Sequence, residues 1–323
     1  DGGVKIVKFT DDNSQARDGG IVVANHANAL GTGTVTVEHG KLAVAGGITV
    51  TNTIQGQATN GTDQKSLVGG GVGNSLGTIT NNGAVLNIGS GNGEIDVVSP
   101  GIALATSMSN GTSDNQAIAG DHNDAGVDTL GQSIGIVKIN SVGLKSGGVY
   151  DWEMKDFDGT TAGTDYDVMN FSNLTFGSSS DRFTVNILGI KSSDGTEGAP
   201  DNLTSIWGKS RQTTNGFKFL TDGAGNGSGI TWGAWNSGNI NDYFEFRFDD
   251  LAWNISNPGN VNNWGQDWSV YYDSGDFYLQ FSAAPEPSTY IMVTGLFMLP
   301  GYRWYRRFRK GIANESETKP EDN

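Results

Sequence analysis

The chain has 323 residues, of which 49 are glycine, 17% are charged and none is cysteine. Glycine is costly in helix interiors, so this composition disfavours a helical fold, and the missing cysteine excludes disulfides, thiolate catalysis and zinc–cysteine sites. Residues 1–285 carry 14 basic and 30 acidic residues, a formal charge of −16, which argues against nucleic acid as a partner.

The first predicted elements are short runs of alternating apolar and polar residues, separated by glycine or asparagine. They lie at 34–37, 41–44, 48–51, 77–80, 84–88 and 94–98. Alternation with period 2 predicts β-strands, and strands this short bury their apolar faces when successive coils stack on one another. This favours a solenoid over a β-sandwich, which remains the alternative. The opening residues already have the character of repeat sequence, so we expect further chain, with an export leader, before Asp1.

Three neighbouring segments carry a family resemblance. They read Asn28-Ala29-Leu30-Gly31-Thr32-Gly33-Thr34-Val35-Thr36-Val37, Gly40-Lys41-Leu42-Ala43-Val44 and Val50-Thr51-Asn52-Thr53-Ile54. This sequence resembles the autotransporter-associated β-strand repeat. The resemblance implies a right-handed parallel β-helix over residues 1–145, of the kind found in secreted passenger proteins.

The composition changes near residue 146, where aromatic residues become frequent. Seven of the eight tryptophans lie between Trp152 and Trp268. Residues 149–154 and 166–171 are predicted to form a pair of strands, and further strands are predicted at 183–188, 216–220, 243–248 and 277–281. Buried aromatic rings supply the apolar area that the end of a solenoid needs, so residues 146–283 are interpreted as its C-terminal cap.

Residues 284–310 combine three features in a fixed order. An extended, proline-stiffened peptide comes first and contains Pro285, Glu286 and Pro287. An uncharged stretch then supplies a membrane anchor through Ile291, Met292, Val293, Leu296, Phe297 and Leu299. A basic cluster follows and holds the topology through Arg303, Arg306, Arg307, Arg309 and Lys310.

This order resembles the PEP-CTERM sorting signal of bacterial proteins that are processed by exosortase-like enzymes. The strand with Trp152 and Glu153, followed by an acidic turn, is also similar to the segment that precedes such signals in repeat-bearing surface proteins. The resemblance implies export, transient anchoring by one transmembrane helix, and processing near Pro285–Pro287. Residues 311–323 are predicted to form a polar, disordered tail. The alternative is that the apolar stretch is a buried strand or helix of the folded body.

Clustered aspartates provide the candidate metal site. Asp156, Asp158, Asp165 and Asp167 surround one glycine-containing loop, and carboxylate oxygens are the ligands that calcium prefers. A structural calcium ion is therefore one interpretation, and the turn preference of aspartate is the other. No further cofactor is expected.

Tryptophans provide the candidate ligand surface. Trp232, Trp235, Trp264 and Trp268 could stack on the faces of polysaccharide sugars, although packing in the core or cap explains most of them. His26, His39 and His122 lack metal-ligand or triad spacing. A polysaccharide-degrading β-helix would need paired acids held in a cleft, whereas the acids here lie mainly in loops and basic partners are scarce.

The sequence therefore predicts an all-β protein: a right-handed parallel β-helix, an aromatic-rich β cap and a single C-terminal sorting helix. We expect a non-enzymatic structural or adhesive protein, exported to the cell envelope, outer surface or extracellular matrix of a Gram-negative bacterium. Its expected partners are the membrane, an exosortase-like enzyme and an extracellular polysaccharide. A carbohydrate-binding protein and a polysaccharide-degrading enzyme are the alternatives.

Overall fold

The computed structural model divides the chain into two units, residues 1–282 and residues 283–323. It describes residues 3–6, 9–10, 16–17, 21–38, 40–56, 66–71, 75–89, 93–102, 134–177, 182–193, 200–202, 216–232, 240–248 and 268–281. The sorting segment 284–310 and the tail 311–323 lie outside these residues. Across the described ranges, no helix has the length and apolar character needed to cross a membrane.

The described part of the chain is built from β-strands, with short 3-10 turns such as Asn81–Gly83 and Ile240–Tyr243. In chain order the strands are β1 Val4–Ile6, β2 Phe9–Thr10, β3 Ala16–Arg17, β4 Ile21–Ala24, β5 Val35–Val37, β6 Gly40–Val44, β7 Thr49–Val50, β8 Ile54–Gly56, β9 Ser66–Gly69, β10 Leu76–Ile79, β11 Leu86–Ile88, β12 Val97–Val98, β13 Ile136–Leu144, β14 Val149–Met154, β15 Val168–Phe176, β16 Phe183–Gly189, β17 Phe217–Thr221, β18 Ile230–Thr231, β19 Phe244–Phe248, β20 Trp268–Asp273 and β21 Asp276–Phe281. The all-β prediction is confirmed for this part of the chain.

Most of the strands belong to three sheets in which parallel pairing dominates. The first sheet has the order β19-β16-β14-β12-β9-β6-β4 and is parallel throughout. The second sheet contains β20-β21-β17-β15-β13-β10-β7, with β11 beside β13 and β18 beside β15. The third sheet, β1-β5-β8, is also parallel. A separate antiparallel pair joins β2 and β3.

Successive strands alternate between the sheets. From β5 to β10 the chain visits the third, first and second sheets and then repeats that order. From β12 to β17 it alternates between the first and second sheets. Each return places a strand parallel to an earlier one, and the crossover that such a parallel pair requires includes a strand of another sheet.

The second sheet ends in antiparallel pairing. β21 pairs antiparallel with both β17 and β20. The hairpin between β20 and β21 turns at Ser274 and Gly275, whose φ values are 50° and 97°. Positive φ at both central residues is the geometry of a two-residue hairpin turn, and glycine adopts it without steric cost.

Aromatic side chains pack the first sheet against the second. Trp152 of β14 contacts Phe217 of β17 and Trp268 of β20, with ring centroids 5.7 and 6.2 Å apart. Tyr150, two residues earlier on the same face of β14, packs against Phe219 at 6.1 Å. All six residues of β14 are nevertheless buried, so the opposite face of this strand is also inside the molecule.

Strands β14 and β15 are connected differently from what the sequence predicts. The predicted pairing of residues 149–154 with 166–171 is wrong, because β14 belongs to the first sheet and β15 to the second. Where β14 ends, Met154 forms an isolated antiparallel bridge with Tyr166, two residues before β15 begins. The regions assigned to 1–145 and 146–283 share their sheets, since β12 pairs with β14 and β13 pairs with β15.

Candidate functional site

The most unusual chemistry in the described structure is a set of buried charged residues, three on the first sheet and one directly before β15. The buried charge cluster, as we define it, comprises Lys41, Asp151, Glu153 and Asp167, each at most 1% exposed. Asp151 and Glu153 alternate with Tyr150 and Trp152 along β14 and therefore project from the opposite face. Burying ionised groups is expensive unless they pair, hydrogen-bond or change protonation state.

Lys41 reaches the cluster by crossing a glycine on the neighbouring strand. A Cβ atom at Gly69 would lie 3.0 Å from Lys41 Cε, so the missing side chain leaves room for the lysine stem. The Nζ atom donates a hydrogen bond to Ser99 Oγ at 3.1 Å, in the interior. Burial lowers the pKa of Lys41 to about 8, although the charges of Glu153, Asp167 and Asp151 act in the opposite direction.

The apolar surroundings of Lys41 explain why burial dominates. Lys41 is aligned with Leu67 across β6 and β9, Leu67 with Val97, and Val97 with Val149. Leu67, Val97 and Val149 form one buried hydrophobic cluster. In-register parallel strands place these side chains on the same face as Lys41, so its stem lies beside hydrocarbon.

The carboxylates are held by hydrogen bonds from neighbouring strands and loops. Asp151 Oδ1 accepts from Asn186 Nδ2 of β16 at 2.9 Å. Asp167 accepts from two backbone N–H groups, that of Gly135 at 2.8 Å and that of Glu153 at 3.1 Å. Burial, with the nearby charge of Glu153, raises the pKa of Asp167 well above its ordinary value, despite these two donors.

The cluster is continuous with the aromatic core through Asp167. The indole Nε1 of Trp152 donates to the carbonyl oxygen of Asp167 at 2.9 Å. The hydroxyl of Tyr150 donates to the carbonyl oxygen of Phe219 at 3.3 Å, and burial raises the pKa of Tyr150. The arrangement places an amine of lowered basicity and a carboxyl group of lowered acidity in one apolar interior.

Three of the four aspartates proposed as calcium ligands, Asp156, Asp165 and Asp167, accept hydrogen bonds from different groups. Asp156 Oδ1 accepts from the backbone N–H of Asp158 at 2.9 Å and from Asn202 Nδ2 at 2.8 Å. Asp165 accepts from the backbone N–H of Thr161 at 2.9 Å, and Asp167 is buried as described above. Within the described ranges, no three acidic or histidine side chains converge as a metal site. The structure therefore does not assemble the expected ligand set.

The candidate sugar-binding tryptophans differ in their environment. Trp268 is 3% exposed and meets Trp152 nearly edge-on, so its ring has no open face, and the expectation for this residue is wrong. Trp232 is half-buried, with its ring centroid 4.7 Å from that of Tyr272. Trp235 and Trp264 lie outside the described residues.

Of the remaining residues singled out in the sequence, only His26 lies within the described part of the chain. His26 is exposed in a turn, where its Nδ1 accepts from the backbone N–H of Asn28 at 3.2 Å. His39 and His122 lie outside the described residues. The processing motif Pro285–Pro287, the anchor 291–299 and the basic cluster 303–310 also lie outside them.

The buried charge cluster was not anticipated as a unit. Its sequence signal is the alternation in residues 149–154, which puts Asp151 and Glu153 on the face opposite Tyr150 and Trp152. Strand register, which brings Lys41 to Ser99 across 58 residues of chain, has no such local signal.

Comparisons with known proteins add no assignment: no protein-family model, curated protein or solved structure matches the chain.

Proposed function

We propose that this chain is a structural or adhesive protein of the bacterial cell surface or extracellular matrix, exported and sorted through its C-terminal segment, without enzymatic activity. The observation that carries the proposal is the repeated return of the chain into parallel sheets. Strands β4, β6, β9, β12, β14, β16 and β19 succeed one another across one sheet while intervening strands build the others. Such a stack extends by adding similar coils and suits a stiff scaffold.

As part of this proposal, the sheets form a right-handed parallel β-helix. The repeated order of third, first and second sheets from β5 to β10 supports three strands in each early coil. The alternation from β12 to β17 supports two-sided coils later on. The antiparallel pairs formed by β21 support a terminal cap, because the antiparallel hairpin interrupts the parallel stacking of the second sheet.

The acidic charge of the body and the C-terminal segment 284–310 also support the proposal. The formal charge of −16 over residues 1–285 favours solubility and disfavours adsorption to anionic lipid or nucleic acid. The proline-containing motif, the apolar stretch and the basic cluster of residues 284–310 would first hold the protein in the membrane and then present it to an exosortase-like enzyme. The folded body would remain on the exported side, since basic clusters resist translocation.

The experiment is expression of the full chain, preceded by an export signal, in a bacterium that carries an exosortase-like enzyme. Replacing Pro285, Glu286 and Pro287 together by alanine should leave the protein in the membrane fraction, while the parent chain is released or surface-attached. Pro320→Ala, in the polar tail, is the matched control and should behave like the parent. Equal release of the triple variant and the parent would contradict the sorting role.

A carbohydrate-binding function is the second candidate, because Trp232 and Tyr272 form a half-buried aromatic pair. Affinity electrophoresis in gels containing acidic and neutral polysaccharides tests it. Trp232→Ala should lower retention at least several-fold, whereas Tyr271→Ala, which removes a half-buried ring next to Tyr272 on β20, should not. Equal retention of both variants would remove this candidate.

Release of reducing or unsaturated sugars from any of these polymers would overturn the non-enzymatic proposal.

A further inference from the structure

The loop between β17 and β18, residues 222–229, is folded around a single carboxylate. Asp222 Oδ1 accepts from the backbone N–H groups of Ala224 at 2.9 Å and Gly225 at 2.6 Å. Its Oδ2 accepts from the backbone N–H of Gly227 at 2.7 Å. Partial burial raises the pKa of Asp222, but the backbone donors outweigh burial and lower the pKa below its ordinary value. The carboxylate is therefore ionised near neutral pH.

Glycines allow the chain to turn around this carboxylate. Gly223, Gly225 and Gly227 each have a φ of 68°, a conformation that glycine adopts without steric cost. The loop also contacts the hairpin turn between β20 and β21, because the backbone N–H of Asp222 donates to the carbonyl oxygen of Gly275 at 3.1 Å. The conformation of the loop is thus fixed both from inside and from the neighbouring hairpin.

The loop contains a chemically reactive pair, Asn226 followed by Gly227. A backbone nitrogen that follows asparagine can attack the side-chain carbonyl carbon, and glycine obstructs this attack least because it has no side chain. The carbonyl side of the reaction is prepared in the structure. Asn226 is exposed to water, and its Oδ1 accepts from the backbone N–H of Ser228 at 2.9 Å. A donor at this oxygen stabilises the negative charge that develops there when Cγ is attacked.

The nitrogen side of the reaction is blocked by Asp222. The Gly227 nitrogen must lose its proton before it can attack, and that proton is the one donated to Asp222 Oδ2. A carboxylate so close opposes a second negative charge on the nitrogen and lowers the deprotonated fraction by about tenfold or more. With its lowered pKa, the Asp222 carboxylate is also too weak a base to remove the amide proton itself.

We propose that Asn226 is a latent deamidation site and that the Asp222 carboxylate keeps it unreacted in the folded protein. Asp222 is a positioning residue here, because it acts on the reaction only through the N–H of Gly227. The protection lasts as long as residues 222–229 stay folded around the carboxylate.

The suppressed reaction needs only water and hydroxide as co-reactants. Hydroxide removes the proton of the Gly227 nitrogen, which attacks Asn226 Cγ, and a C–N bond forms. The bond between Cγ and Nδ2 breaks, and the side-chain nitrogen takes a proton from water and leaves as ammonia. Water then opens the succinimide ring at either carbonyl, giving aspartate or isoaspartate. No atom changes oxidation state.

Reaction at Asn226 would disturb the hairpin at the end of the second sheet. Both products add a negative charge to a region where Asp222, Asp273 and Asp276 already act on Tyr272. A Cβ atom at Gly227 would clash with the Tyr272 hydroxyl, so a backbone lengthened by isoaspartate cannot keep the present path of the loop. This inference concerns the folded body and does not depend on how the C-terminal segment is processed.

Peptide mapping by mass spectrometry, on the purified full chain incubated at mildly alkaline pH, tests the proposal. The folded parent should deamidate at Asn226 at least about tenfold more slowly than the same chain unfolded in urea. Asn82–Gly83 is an internal reference, because it is the other asparagine–glycine pair within the described ranges and its Gly83 N–H donates to a neutral group, the carbonyl of Thr80, at 2.9 Å. Deamidation of Asn226 as fast in the folded parent as in urea would overturn the proposal.

Variants then separate the carboxylate from the rest of the fold. Asp222→Ser supplies one oxygen instead of two and no charge, but a serine hydroxyl still accepts from the N–H two residues on, so the start of the loop is kept. It should raise the rate at Asn226 by about tenfold or more and leave the rate at Asn82 unchanged. Asp242→Ala removes an exposed aspartate of the turn Ile240–Tyr243 and, as the matched control, should change neither rate.

Two results with Asp222→Ser would refute the role of Asp222. The first is a rate at Asn226 equal to that of the parent. The second is an equal acceleration at Asn226 and Asn82, because it would attribute the effect to global unfolding rather than to the lost carboxylate.

Discussion

Replacing Gly69 by alanine should destabilise the protein far more than the size of one methyl group suggests. A Cβ atom at this position would lie 2.8 Å from the carbonyl carbon of Ser99, and closer still to its oxygen. Carbon atoms in ordinary contact are about 3.5–4.0 Å apart. The strand that carries Gly69 and the segment at Ser99 would therefore have to separate by roughly 1 Å.

That separation acts on the hydrogen bonds that hold the stack together. The backbone N–H of Ser99 donates to the carbonyl of Val68 at 2.9 Å, next to the site of substitution. The added methyl group would also press on Lys41 Cε, 3.0 Å away. Overpacking a close-packed interior costs about 1–3 kcal/mol, and a clash with backbone belongs at the upper end, so we expect a loss of about 3 kcal/mol.

Gly177→Ala is the matched control. The nearest atom to a Cβ there is Leu144 O at 3.4 Å, an ordinary contact, and the residue has no positive φ. Its free energy of unfolding should stay within about 0.5 kcal/mol of the parent. Urea unfolding followed by tryptophan fluorescence measures both variants. Equal stability of the Gly69→Ala and Gly177→Ala variants would refute the close approach of β9 to the end of β12.

Three further substitutions examine the core and the loops. Trp152→Phe removes a fully buried indole and its hydrogen bond to the Asp167 carbonyl. The free energy of unfolding measured in urea should therefore fall by about 2 kcal/mol. An unchanged value would contradict this packing. Because burial raises the pKa of Asp167 well above 3.8, the folded protein retains a proton that the unfolded chain releases. The stability from this group is complete below about pH 4 and falls as the pH rises through the folded pKa, so Asp167→Asn should show a flatter pH dependence than the parent in urea titrations. Asp222 accepts backbone N–H groups of its own loop, including Gly225 at 2.6 Å and Gly227 at 2.7 Å, so Asp222→Ala should speed amide hydrogen exchange at both glycines, and unchanged exchange would show that the loop does not need the carboxylate.

Strand positions were largely predictable because alternation is a local property. Residues 41–44, 84–88 and 183–188 were predicted as strands and lie within or overlap β6, β11 and β16. The pairing of 149–154 with 166–171 failed for a physical reason. A short acidic connection is compatible with a hairpin, but both hydrogen-bonding edges of β14 are occupied by the parallel strands β12 and β16. That arrangement depends on distant strands and cannot be read locally.

The candidate site was less accessible to sequence reasoning than the strands. Alternation places Asp151 and Glu153 on one face of β14, yet they look like solvent-exposed charges until the strand is known to be buried on both faces. Lys41 meets Ser99 because two intervening pairings, β6 with β9 and β9 with β12, are in register and because Gly69 leaves a gap. Conversely, the aspartates of the 156–167 loop looked like a ligand set, but Asp156, Asp165 and Asp167 accept hydrogen bonds from different parts of the chain.

The proposed surface role is tested most directly by the C-terminal sequence of the mature protein. The full chain, exported in a bacterium with an exosortase-like enzyme, would be recovered from the surface or medium and its last peptide identified by mass spectrometry. We expect that peptide to end close to Pro285–Pro287, with the apolar and arginine-rich segment removed. Recovery of surface protein that still ends at Asn323, or of protein that never leaves the cytoplasm, would contradict the proposed function.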